Sequence, residues 1–272
     1  VSDDQENRYK QLLAHIFFDS SFGNFAEGDI EVEFTREQIV SAAEAIDVVL
    51  PKNLGDVVYS IRYRTPMPKR VLETQPEGLE WVIEGAGRAK YKFRLVDANR
   101  IVPSSSLRST KIPDATPEII GAYALNDEQA LLAKVRYNRL IDIFLGVTAY
   151  SLQSHMRTTV KSIGQIEIDE VYVAVDRHGI QYVIPVQAKG GKDQLGVVQA
   201  KQDLACCAEK FPALVCRSVS AQFMEDDRIA IFEVAVEGDR VVVVDEKHYR
   251  LVAASEITEQ ELKDYGKGSA SF

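Results

Sequence analysis

Four polar side chains near the middle of the chain, Glu167, Asp169, Gln187 and Lys189, have the types and spacing that phosphodiester hydrolysis needs. Glu167 and Asp169 stand two apart in Gln165-Ile-Glu-Ile-Asp-Glu-Val-Tyr-Val173, as do Gln187 and Lys189 in Tyr182-Val-Ile-Pro-Val-Gln-Ala-Lys189. Side chains two apart on an extended strand project from one face, so two neighbouring strands would gather all four into one patch. A carboxylate with a nearby oxygen ligand can hold Mg2+, a hard ion that takes oxygen at about 2.0–2.1 Å, while a lysine beside it orients water or offsets phosphate charge. The polar residues interrupt apolar runs that read as buried strand, where an unpaired charge is costly; a merely solvated hairpin face does not explain that placement.

The two segments are joined by a turn at Asp176-Arg-His-Gly179, and the second ends at Gly190-Gly191. This layout resembles the PD-(D/E)xK nuclease superfamily, whose core is an Asp on one strand and (Asp/Glu)-x-Lys on the next. The half-motifs are Ile168-Asp169 and Gln187-Ala188-Lys189, and Gln-Ala-Lys is similar to the variant of Mrr-type restriction endonucleases. The resemblance implies that Asp169, Gln187 and the carbonyl of Ala188 bind Mg2+. It further implies that Lys189 positions water for in-line attack on phosphorus, that Glu167 is an auxiliary ligand or base, and that the products carry 5′-phosphate and 3′-hydroxyl ends. Gln187 in place of an acid removes one negative charge from the metal site, whose coordination Glu167 or a water would have to complete. A helix before the first core strand often supplies another carboxylate in this superfamily, for which Glu128 and Asp142 are candidates. His155 and Arg157, just upstream, could approach a phosphate or fill structural roles.

The elements that must carry these residues follow from pattern. Asn126 to Leu145 reads as one helix capped by Asn126 with acids in its first turn. Val147 to Met156 reads as a further helix or turn. A helix from Asp193 to about Lys210, bearing Gln199, Lys201 and Gln202, follows the second strand. Residues 215–224, 228–236 and 240–245 are β-rich and extend the sheet. The expected class is α/β over residues 113–272, a restriction-endonuclease-like mixed sheet flanked by helices.

The amino-terminal part is of another kind. Tyr9, Leu12, Leu13, Ile16 and Phe17 form one helical stripe, Ile30 to Phe34 is extended, and Thr35 caps a helix running to about Asp47. Asn53 caps another, with Leu54, Val57, Val58 and Ile61 facing inward and Arg62 and Arg64 at its end. Trp81 to Val96 reads as a hairpin with a glycine-rich tip, on which Lys90, Lys92 and Arg94 alternate with Tyr91, Phe93 and Leu95. Three helices followed by a basic hairpin look like a winged helix, a smaller α+β domain over residues 1–112. That resemblance implies DNA contact by Arg62, Arg64, Arg88, Lys90 and Lys92; the competing reading is a solvated strand face on a structural domain. Gly85-Ala-Gly-Arg-Ala lacks the dinucleotide and P-loop fingerprints, which excludes a nucleotide site there. Residues 101–117, rich in Pro and Ser, read as a linker.

The formal net charge of −9 argues superficially against a nucleic-acid partner, but residues 50–112 hold 12 Lys+Arg against 6 Asp+Glu. A basic module in an acidic chain suits a DNA reader attached to a metal-binding catalytic domain. Cys206, Cys207 and Cys216 are too few and badly spaced for a zinc site or disulfide framework and read as small buried hydrophobes. No apolar run approaches a membrane span and Val1-Ser-Asp-Asp is no signal peptide, so the expectation is a cytoplasmic protein without a membrane partner. The expected activity is Mg2+-dependent, site-specific cleavage of double-stranded DNA, of the type II restriction kind. A homodimer is expected because two strands need two cuts. A non-catalytic DNA-binding regulator with a degenerate nuclease fold, and a structure-specific or RNA nuclease, are the alternatives.

Overall fold

The computed structural model describes residues 8–63, 65–97, 100–123, 128–161, 163–190, 194–224, 227–238 and 240–269. It divides into two units, Val1–Asn99 with Thr158–Ile166, and Arg100–Arg157 with Glu167–Phe272.

In the first unit, helix α1 (Arg8–Phe18) buries Leu12, Leu13, Ile16 and Phe17, the stripe its 3.6-residue period dictates. Strand β1 (Glu31–Thr35) leads directly into α2 (Arg36–Ala45), where Thr35 accepts from the Gln38 N–H and Gln38 accepts from the Thr35 N–H, a closed capping box. α3 (Gly55–Tyr63) buries Val57, Val58 and Ile61, and a single turn, α4 (Lys69–Leu72), follows. Strands β2 (Leu79–Gly85) and β3 (Lys90–Asp97) form the expected hairpin. The three strands pair antiparallel in the order β1-β3-β2 over a core that includes Phe17, Phe34, Trp81 and Phe93. Gly85 is required where it stands: a Cβ there would lie 1.7 Å from the Ile163 carbonyl oxygen.

The second unit begins earlier than the breaker-rich stretch suggests. Strand β4 (Ser109–Pro113), inside the supposed linker, pairs in parallel with β11 (Arg240–Val252), so the division falls at Asn99/Arg100 and not at 112/113. A short helix, α5 (Glu118–Tyr123), follows. The long helix expected to end at Leu145 is two, α6 (Glu128–Tyr137) and α7 (Leu140–Leu145); its supposed cap Asn126 lies outside the described residues. The break comes at Arg139, which adopts a left-handed backbone with φ 51°, and at buried Asn138. Asn138 accepts from the Ala115 N–H (2.7 Å) and donates to Thr116 Oγ1 and the Lys134 carbonyl (both 2.9 Å).

The stretch Val147 to Met156, read as helix or turn, lies from Thr148 onward in β5 (Thr148–Val160), an end strand of the large sheet. β6 (Gly164–Val175) and β7 (Gln181–Lys189) form an antiparallel hairpin whose turn is fixed by Asp176, which accepts from the His178 and Ile180 N–H groups, with Gly179 at φ 81°. α8 (Val197–Lys210) then crosses to β8 (Val215–Cys216) and β9 (Ser218–Phe223), both parallel to β7. β10 (Arg228–Glu237) and β11 complete the sheet, and α9 (Glu259–Ser269), which the sequence pattern did not reveal, closes the described chain. The strand order is β4-β11-β10-β9-β7-β6-β5, a mixed eight-stranded sheet with β8 beside β7 and helices packed on it. The second unit is therefore α/β. Pro185, unusual in a central strand, sits where β7 passes from pairing with β8 at Val183 to pairing with β9 at Val186, so its missing N–H falls where the parallel partner changes.

Candidate functional site

Which way each side chain points follows from the register. Tyr172, Ala174, Val186 and Ala188 join Leu131, Leu140 and Ile141 of α6 and α7 in the core, and Glu170 meets α6 through Arg136 (2.8 Å). The alternate residues Glu167, Asp169, Gln187 and Lys189 therefore face the other side, toward α8. The four candidates share one face, as their spacing requires.

The hairpin ladder runs from Val175↔Gln181 to Glu170↔Val186. One step further, the Ala188 N–H donates to Asp169 Oδ2 (2.8 Å), so a side chain ties the strands together. Asp169 is half-buried. Burial raises its pKa above the ordinary carboxylate value, the neighbouring Glu167 charge adds to this, and the Ala188 N–H, Lys189 and His155 oppose it.

Gln187 is 1 % exposed and fully engaged. Its Nε2 donates to Asp203 on α8, 3.0 Å from each carboxylate oxygen, and its Oε1 accepts from Gln199 Nε2 (2.8 Å). Asp203, also 1 % exposed, is the member of this patch that sequence reasoning missed. Burial pushes its pKa well above the usual range; the Gln187 hydrogen bond works against that, and the Asp169 charge adds to it. The signal was present, since Val197, Ala200, Asp203 and Cys207 fall on one buried helical stripe and an acid in such a stripe has no solvent to face.

Glu167 takes a different part from the one expected. Arg157 Nε lies 3.2 Å from its Oε2 and the Arg157 guanidinium donates to Oε1 at 3.3 Å, with His155 Nδ1 3.5 Å from the same oxygen. Burial alone would raise the Glu167 pKa, but Arg157 and His155 outweigh it and hold the carboxyl below its ordinary value, which suits an ion pair better than a proton acceptor. Of the two helix carboxylates, Asp142 accepts from the Ala149 N–H (3.0 Å) and pairs with Arg139, a local structural use. Glu128 is closer to the patch, its Cγ 3.7 Å from where a Cβ on Gly190 would stand.

Among the described residues no group of three His, Cys, Asp or Glu side chains is arranged to hold a metal. Mg2+ asks for less, since it keeps most of its waters and binds proteins through one or two carboxylates. Asp169 and the buried Asp203, whose pKa the Asp169 charge helps to raise, make an acidic patch that a divalent cation would relieve. The residues present therefore fit the ion.

In the first unit, Arg88 and Lys90 are exposed at the hairpin tip, whereas Lys92 pairs with Glu31 (2.7 Å) and Arg94 with Glu31 and Glu84 (3.4 and 3.3 Å), so part of the basic face is neutralised. Arg64 and the side chain of Arg62 lie outside the described residues. No helix among the described residues is long and apolar enough to cross a membrane. Comparison with protein-family models and with curated proteins finds no match.

Proposed function

We propose that the chain is a Mg2+-dependent endonuclease that hydrolyses phosphodiester bonds in double-stranded DNA, a restriction-endonuclease-like α/β unit cutting and a winged-helix-like unit reading. The observation that carries this reading is the shared face of Glu167, Asp169, Gln187 and Lys189 at the open end of the β6–β7 ladder, backed by Asp203. Helices before and after that hairpin, and the order of the first unit, helix–strand–helix–helix, a single helical turn and then a hairpin, support it. Asp169 and the Ala188 carbonyl would hold the ion, with Asp203 behind Gln187. Bound there, Mg2+ would supply Lewis-acid polarisation of the phosphate. Lys189 orients the attacking water and offsets the charge that develops on the phosphoryl oxygens, and α8 fixes Gln187 through Asp203 and Gln199. A symmetric dimer would bring one such site to each DNA strand.

One observation favours a second reading, a DNA-binding regulator without catalysis: both ends of the Gln187 amide are already occupied. The deciding experiment offers duplex DNA, methylated duplex, branched DNA and RNA with Mg2+ and with EDTA, to wild type and to Lys189→Ala and Asp169→Asn. The expected result is Mg2+-dependent cutting of duplex DNA, abolished in both variants with DNA affinity retained. Equal products from wild type and Lys189→Ala would sink the hydrolase reading.

A further inference from the structure

Strand β5 changes sides part-way along. Ala149 packs in the core with Leu131 and Tyr172, and Ser151 Oγ donates to Glu170 (2.6 Å), so odd-numbered residues at its start face α6. His155 and Arg157, also odd-numbered, meet Glu167 on the opposite face. An unbroken strand cannot do this, because residues two apart keep to one side. The alternation breaks between Ser151 and Ser154, since Ser154 Oγ also accepts from Arg136 on the α6 side (2.9 Å), and the irregular stretch ends at His155, whose backbone is left-handed at φ 49° inside the strand. A non-glycine residue held in that region is costly, and such kinks in strands commonly re-aim side chains at functional sites. Here the result is to bring two cationic-capable groups, with Arg157 67 % and His155 48 % exposed at the side chain, to the rim of the patch that holds Asp169. His155 is near enough for its charge to act on Asp169.

We infer that Arg157 and His155 are the phosphate-gripping pair of this site, held in reserve by Glu167, so that an incoming DNA phosphate replaces the Glu167 carboxylate on the Arg157 guanidinium. The inference rests on the nuclease reading and deepens it. The exchange is chemically even: a bidentate acceptor with negative charge gives way to another, and a guanidinium fork matches phosphate as well as carboxylate. Glu167 is then a competitor for the grip, the opposite of a catalytic base.

Binding of a random-sequence DNA duplex in EDTA, followed by fluorescence anisotropy at several salt concentrations, tests this without any cutting. Arg157→Ala should weaken binding about tenfold at low salt and reduce the slope of log affinity against log salt by about 0.9, one phosphate's worth. Glu167→Gln should tighten binding, and should lose that effect when combined with Arg157→Ala, a dependence that a merely structural Glu167 would not show. His155→Gly keeps the left-handed backbone and removes only the imidazole, for a loss of about threefold, whereas His155→Val, disfavoured at positive φ, should turn Arg157 away and match Arg157→Ala. Far-ultraviolet circular dichroism confirms that each variant is folded. Wild-type affinity in Arg157→Ala, or weaker binding in Glu167→Gln, overturns the inference, as does failure of the wild type to bind the duplex. Cutting by Lys189→Ala would sink the nuclease reading alone, since the binding series stands apart from hydrolysis; a dead Lys189→Ala beside an unaffected Arg157→Ala would sink the grip alone.

Discussion

Asp203→Asn is the substitution that most directly interrogates the buried patch. Asparagine keeps the volume and an acceptor for the Gln187 amide while removing the ability to ionise. In wild type, burial raises the folded pKa of Asp203 above the unfolded value near 3.9. Below that unfolded value the carboxyl is protonated in both states and its contribution to stability is fully present. As pH rises, the unfolded chain ionises freely while the fold must keep a proton or bury a charge, so wild-type stability falls until the folded pKa is passed. The loss is about 1.4 kcal/mol for each pH unit over which only the unfolded carboxyl is ionised, or roughly 3–6 °C in Tm per unit for a domain of this size class. Asp203→Asn should therefore be near wild type at pH 4 and increasingly more stable by comparison toward pH 8, a difference in which Asp169 cancels to first order because both proteins contain it. Thermal unfolding followed by circular dichroism between pH 4 and pH 8 reads the gap directly. Saturating Mg2+ should narrow it, because a cation beside the patch lets wild type ionise at little expense. Parallel Tm–pH curves would refute the reasoning: Asp203 would be titrating as a surface carboxylate, and the Gln187–Asp203 pairing on which the patch depends would be wrong.

Two further substitutions probe the scaffold. Gly85→Ala drives a Cβ to within 1.7 Å of a backbone oxygen that cannot swing aside, so the first unit should lose about 1–3 kcal/mol or more, read as a lower midpoint in urea unfolding. Asn138→Ala removes three hydrogen bonds at the α6–α7 break and orphans the Ala115 N–H; a loss of about 1–3 kcal/mol should appear in the same assay, and no loss would mean that the break is held by something else.

What could be read from the sequence alone was whatever local periodicity encodes. The β6–β7 hairpin declares itself through alternating β-branched residues and a turn built by Asp176 and Gly179, and Thr35 declares the start of α2. Where the pattern fails, distant partners, solvent exposure or a local backbone irregularity decide instead. β4 is a strand because β11, far along the chain, lies beside it, and nothing within Ser109–Pro113 says so. β5 is open to solvent along most of its length, so it lacks the inside–outside alternation that would reveal a strand and reads as helix or turn. The apolar period of α6 runs on through Leu140 and Ile141, which hides a break made by the left-handed Arg139 and by Asn138 reaching back to Thr116. Within the patch, the residue types on the hairpin were legible, but their company was not: Asp203 turns inward only because α8 lies against the face that carries Gln187.

The bond from the Ala188 amide to Asp169 acts as a fastener. Where β6 and β7 would otherwise be laced by main-chain carbonyls alone, an ionisable group has been given the final stitch. A proton or an ion that claims that oxygen competes with the stitch itself, so filling the patch and slackening the end of the hairpin are coupled outcomes of a single event.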